Sequence, residues 1–206
     1  MPKIFSDEEK EAHRSFLLDN GLRLIMEKGY KHVTVDQLIQ MLGVSKGYFY
    51  ILFPSKEEFF LDALAWQMNK NFETLRSAVE NGQTTLEIGQ LYQGIFRGMH
   101  FATFEDVIYV QQKVSEQQWQ HFRDFEEEFF TRVLELFGKN TVSKCDPKIV
   151  SNLSALIFLA KNSHAKYLFS DKMDDVINIL LNTFHIYIFG EEDSIPITRQ
   201  KGQGFM

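Results

Sequence analysis

The clearest pattern lies near the C-terminal end. Ile149, Leu153, Leu156, Ile157, Ala160, His164, Tyr167 and Leu168 step by three and four, and Met173, Ile177, Leu180, Leu181, Phe184 and Ile188 do the same. That spacing puts apolar groups on one face of an α-helix, so it predicts two amphipathic helices. The same reading runs through the rest of the chain. A first helix is predicted from Asp7 to Lys28, stopped at Gly29-Tyr30. Short helices follow at about Asp36–Leu42 and Lys46–Leu52, with buried faces formed by Val35, Leu38, Ile39 and Leu42, then by Val44, Phe49 and Phe53. Pro54-Ser55 resets the chain, and a long helix is predicted from Lys56 to about Val79, ended by Asn81-Gly82. Residues 84–140 read as helical, with breaks near Thr103 and Ser115 and a stop at Gly138. No alternating stretch is bounded by hairpin turns, so the predicted fold is all-α.

Helix starts are marked independently. Ser6 with Glu9, Thr34 with Gln37, Ser55 with Glu58 and Thr84 with Glu87 each have capping-box spacing. In such a pair the hydroxyl accepts from the third helical N–H while the acid or amide reaches back to the cap. Asp146-Pro147 adds an N-cap followed by a proline at the first helical position. Two short helices joined through Gly43 and followed by a long one form a helix-turn-helix, because a glycine allows the left-handed backbone its turn needs. Ser45 is placed to cap the second short helix. Lys46, Gly47, Tyr48, Tyr50 and Ile51 are then expected on its exposed side, facing a major groove or its flanking phosphates.

Bulk composition narrows the setting. Of 206 residues, 44% are hydrophobic and 24% charged, as in an ordinary globular protein. The 20 Phe need an interior, a cavity or an interface to hide them. Cys145 is the lone cysteine, so no internal disulfide is possible and a reducing cytoplasm is expected. The N-terminus turns acidic at Asp7, Glu8 and Glu9 and is not expected to be a signal peptide; no apolar run is long enough to span a membrane. Net charge is −6, which argues against a general nucleic-acid binder. From Lys28 to Lys56, however, four lysines (28, 31, 46 and 56) meet one acid, Asp36. DNA binding must therefore rest on local geometry and this small patch.

Residues 10–65 resemble the TetR family of bacterial transcription regulators. The resemblance is carried by Leu17-Leu18-Asp19, Glu27-Lys28-Gly29-Tyr30, Thr34-Val35, Gly43-Val44-Ser45-Lys46-Gly47, Tyr50 and Phe53-Pro54-Ser55-Lys56-Glu57-Glu58, in order and with family spacing. It implies that Thr34, Ser45 and Lys46 support or contact the DNA backbone. It also implies that Tyr50 touches that backbone or thymine methyls, and that Lys56 meets a phosphate. Gly47 would allow close approach. The chain departs from the family at Ile39 and Leu42, where small residues are usual, and at Ile51 and Leu52, which replace an aromatic and a histidine. Tyr48 is a candidate to take over some of the lost contacts.

The resemblance further implies an N-terminal three-helix DNA-binding domain at residues 1–55 and a larger helical ligand-binding and dimerisation bundle at 56–190. A flexible tail is expected from 191 to 206. The implied partners are double-stranded DNA with a palindromic operator, a second copy of the chain and a small-molecule effector. Leu153, Ile157, Leu181, Phe184 and Ile188 are candidates for the dimer interface, and equally for core within one subunit. Phe96, Met99, His100, Phe104, Tyr109, Trp119, Phe122 and Lys161 are candidates to line a ligand pocket, with ordinary core as the competing reading. Such a lining suits a hydrophobic or aromatic effector. No cofactor, metal site or catalytic motif is expected: the six His hold no i, i+4 pair, and no phosphate-cradling loop or nucleophile elbow occurs. A helical small-molecule-binding protein or enzyme without DNA function stays open as the alternative.

Overall fold

A computed structural model describes residues 5–98, 103–138, 141, 145–162 and 168–190, and the regular elements among them are all helical. They are α1 (Asp7–Lys28), α2 (Val35–Gln40), α3 (Lys46–Leu52), α4 (Lys56–Glu80), α5 (Thr85–Gly98), α6 (Phe104–Gln111), α7 (Glu116–Phe137), α8 (Pro147–Asn162) and α9 (Met173–Phe189). Short 3₁₀ turns lie at Tyr30–His32 and Ser170–Lys172. The capping pairs set the boundaries. The N–H of Glu9 donates to Ser6 Oγ at 3.1 Å while the Ser6 N–H donates to the Glu9 carboxylate at 2.8 Å. Thr84 and Glu87 form the same reciprocal pair. At Ser55 only half of the box forms, because the Glu58 carboxylate instead accepts from the Gln118 amide.

The chain forms two compact units. One holds α1–α3, α4 as far as Thr74, α6, and α7 as far as Phe129; the other holds the rest of α4, α5, the end of α7, α8 and α9. The long helix α4 contributes to both units. The tail expected from 191 to 206 lies outside the described residues. The first unit packs around Leu17, Leu22 and Ile25 of α1, Leu38 of α2, Phe49 of α3, Phe53, and Phe59 and Phe60 of α4. Phe53 sits 5.4 Å from Phe49 and 5.0 Å from Phe59, ring centre to ring centre, the edge-on and tilted contacts aromatic rings favour. Gly21 lets these helices close. A Cβ there would lie 2.5 Å from the Phe59 ring and 2.9 Å from Leu38. In the second unit Tyr92 of α5 stacks on Phe184 of α9 at 4.7 Å.

The penultimate helix was expected to carry its stripe to Leu168. As described it ends at Asn162; His164 and Tyr167 lie outside the described residues, and Leu168 is exposed.

Candidate nucleic-acid interface

Local chemistry fixes the two short helices. The Gln37 N–H donates to Thr34 Oγ1 at 3.2 Å, and the Thr34 N–H donates to Gln37 Oε1 at 2.8 Å, so α2 begins at a complete capping box. Gly43 then takes φ +63°, a left-handed conformation that costs a non-glycine residue energy. Ser45 occupies the N-cap of α3, but its hydroxyl makes no capping hydrogen bond and stays exposed. Phe49 and Phe53 are fully buried and anchor α3 to the core. The other end of α3 is held from a distance. The Arg14 guanidinium of α1 donates to the Leu52 carbonyl at 2.8 Å and to Asp62 of α4 at 2.7 Å, and lies 4.5 Å over the Phe53 ring. Arg14 belongs to no local motif, so its role emerges only from the fold.

The face of α3 left outside carries Lys46, Gly47, Tyr50 and Ile51. Tyr50 is 49% exposed and Ile51 is 68% exposed. Lys46 is exposed and pairs with Asp36 of α2 at 3.3 Å. Thr34 and Ser45 are exposed at the helix starts, as a phosphate-facing role requires. Lys28 and Lys31 are exposed nearby in the chain, the latter with its ammonium 4.5 Å over the Tyr109 ring.

Two expected contacts are placed differently. Tyr48 is buried, not exposed: its hydroxyl is 2.9 Å from His13 Nδ1 and its ring packs 4.5 Å from Phe5. The reason is the helical period. Tyr48 lies beside Phe49 on the inward half of α3, and α1 supplies a polar partner for its hydroxyl. Lys56 is half-buried at the start of α4. Its ammonium donates to the Tyr30 carbonyl at 2.6 Å and lies 3.9 Å from the centre of the Tyr30 ring. Burial pushes its pKa down, while the nearby carboxylates of Glu57 and Asp106 pull the other way. The positive patch is thus smaller than the lysine count suggested.

Of the candidate ligand residues, four are placed by the described side chains. Tyr109, Trp119 and Phe122 pack against the core of the first unit, while Lys161 is on α8 of the second. Phe96 and Phe104 fall in helices whose side chains at those positions are outside the described set, and Met99 and His100 lie outside the described residues. A cleft in the second unit is lined instead by Tyr92, Gln93, Phe137, Phe184 and His185, and it narrows to the size of about one water molecule. Of the dimer candidates, Ile157, Leu181, Phe184 and Ile188 are buried within the single chain and Leu153 is partly so. The exposed aliphatics are different ones: Ile149 and Leu156 on α8, Val176 and Ile179 on α9. Cys145 is a bystander. Its thiol donates to the Tyr187 carbonyl, and burial pushes its pKa up.

Comparison with known proteins points to the same segment. Residues 17–63 match the model for bacterial regulatory proteins of the tetR family. Over 103 residues the chain is 28% identical to the uncharacterized HTH-type transcriptional regulator YuxN of Bacillus subtilis, a match covering 48% of this chain and 34% of that protein. The chain thus spans about a third of that relative's length. Among solved structures, a TetR-family transcriptional regulator from Cytophaga hutchinsonii superposes with a TM-score of 0.58 at 15% identity, covering 92% of this chain and 100% of the other. The reduced form of Escherichia coli NemR does so at 0.57 and 18%, covering 87% and 98%. At those identities the likeness is one of fold.

Proposed function

We propose, from the match of its helix-turn-helix region to bacterial regulatory proteins of the tetR family, that the chain belongs to that family and is a cytoplasmic, homodimeric transcriptional repressor that releases a palindromic operator when a small hydrophobic or aromatic effector binds. The observation that carries the DNA-binding reading is the exposed face of α3. Lys46, Gly47, Tyr50 and Ile51 stand clear of the core on a helix fixed at both ends, next to the exposed caps Thr34 and Ser45. A recognition helix must be rigid and proud of its domain to enter a major groove.

The dimer is supported by the aliphatic stripes left open on α8 and α9. Two recognition helices about 34 Å apart suit successive major grooves on one face of the duplex. The effector reading rests on the chemistry of the side chains around the cleft, aromatic with Gln93 and His185 as polar groups; with room for about one water, the cleft would have to open to admit an effector. In this reading α4 links DNA domain and bundle, and the effector acts only by its differential affinity for the spacing that fits DNA and the one that does not.

The test selects bound duplexes from random DNA, then titrates them in mobility shifts at low salt with wild type and with a Lys46→Ala, Tyr50→Ala double variant. Wild type is expected to enrich a twofold-symmetric site, and the variant to lose at least tenfold in affinity. Equal retention by both proteins sinks the DNA-binding reading.

A further inference from the structure

The face of α3 that the helix-turn-helix presents to DNA carries few of the usual tools of base recognition. Sequence is commonly read by Arg or Lys on guanine, Asn or Gln on adenine, and Asp or Glu on cytosine. Of these only a lysine, Lys46, occurs in Lys46–Leu52. Lys46 is the one charged group on this helix, and it sits in the first turn, paired with Asp36. The surface beyond it consists of Gly47, the ring of Tyr50, and Ile51, whose side chain is the most exposed of the three aliphatic or aromatic groups between Tyr50 and Leu52.

Two features of that surface are unexplained by the protein itself. A glycine inside a helix is unfavourable, yet a Cβ at Gly47 would meet nothing within 4 Å. No internal packing calls for its absence. Ile51 follows one helical turn later on the same side, so the bare backbone at 47 opens the approach to the methyl groups at 51. Ile51 is also β-branched, which leaves it one strongly preferred rotamer in a helix. Its methyls are therefore held in place before any partner arrives, and ordering them costs little.

The apolar feature of the major groove is the thymine 5-methyl group. We infer that Ile51, with Gly47 clearing its approach, is a specificity-determining residue that selects thymine by packing against that methyl group. The half-site is then read mainly by methyl position. This inference rests on the DNA-binding reading above.

The experiment starts from a duplex enriched by the wild-type chain and replaces each thymine of one half-site by deoxyuridine. That change removes the 5-methyl group and keeps base pairing. Binding is measured for wild type, Ile51→Ala and Ile51→Val. At one thymine the wild type is expected to lose about fourfold in affinity, the value for burying one methyl-sized group. Ile51→Ala should lose a similar factor on thymine DNA and show no further loss on uracil DNA; Ile51→Val should keep most of the discrimination. Because the side chain is exposed, the melting temperature of the free variants should match wild type. Indifference of the wild type to every uracil substitution overturns the inference and leaves DNA binding intact. An Ile51→Ala protein that keeps the full wild-type preference for thymine over uracil does the same. A wild-type chain that enriches no duplex overturns both readings together.

Discussion

Two glycines in the first unit have environments that give opposite answers to the same substitution. Gly21 and Gly47 are both helical glycines, but a Cβ at 21 would collide with Phe59 and Leu38 and one at 47 would stand in open space. Gly21→Ala is therefore expected to destabilise the fold by about 1–3 kcal/mol through overpacking. Gly47→Ala should stabilise it by about 0.5–1 kcal/mol, because alanine loses less backbone entropy in a helix. It should weaken DNA binding all the same, since the new methyl would stand on the groove-facing side. Urea denaturation and mobility shifts on the same two proteins check this. A Gly47→Ala protein with unchanged affinity would mean that the glycine serves no partner. Tyr48 shows why such distinctions escape a sequence. Its place among exposed contacts followed from counting along α3, whereas its actual burial depends on His13, 35 positions away, and on Phe5. Lys56 is similar, for its ammonium is turned to the carbonyl of Tyr30.

Helix beginnings were readable because their chemistry is local. Ser6 with Glu9 and Thr34 with Gln37 complete their boxes within three residues, so α1 and α2 could be placed from sequence alone. How helices are fastened to one another is a different matter. Asp19 of α1 accepts from the Trp66 indole at 2.9 Å and from the Lys70 ammonium at 2.8 Å, both on α4, and nothing in the local sequence announces this clamp. Burial pushes the Asp19 pKa upward, but the hydrogen bonds from Lys70 and Trp66 and the positive charges of Lys70 and Arg23 together outweigh it and hold the carboxyl below its ordinary range. As pH falls, the unfolded carboxyl takes up its proton first, near about 3.9. Between that value and the lower folded one the unfolded state binds more protons, so the clamp's contribution is present above this window and is lost through it. Asp19→Ala is expected to cost about 1–2 kcal/mol at neutral pH, the Lys70 share being reduced by its exposure. The gap between wild type and variant in urea melts should shrink as pH falls below about 4. A gap that stays constant to pH 3 would mean that charge on Asp19 contributes nothing.

At the scale of the whole molecule, the question is which of two apolar stripes on the last helices serves the chain and which serves a partner. Periodicity gave one broad stripe on each helix, with Ile149 and Leu156 in the first, but did not divide core from partner and left out Val176 and Ile179. Within one chain, Ile157, Leu181, Phe184 and Ile188 are at most 4% exposed, whereas Ile149, Leu156, Val176 and Ile179 are 39–55% exposed. Half-burying four aliphatic side chains in each protomer is worth about 1 kcal/mol apiece, or about 8 kcal/mol across a twofold axis. Association itself costs about 4–15 kcal/mol, so the exposed set is of the right order to govern the equilibrium without deciding it alone. Substitution separates the two roles. Leu181→Ala removes buried core and should cost about 2–5 kcal/mol of stability at any protein concentration. A Leu156→Glu, Ile179→Glu protein loses apolar contact and would bury like charges against each other across the axis. It is expected to sediment as a folded, helical monomer at micromolar concentration, where wild type is expected to sediment as a dimer. It should also bind a palindromic site at least a hundredfold more weakly than wild type, while binding to a single half-site changes little, because each recognition helix is intact and only their pairing is lost. A double variant that remains dimeric would move the interface off these stripes, and a double variant that fails to fold would return them to the core of the subunit.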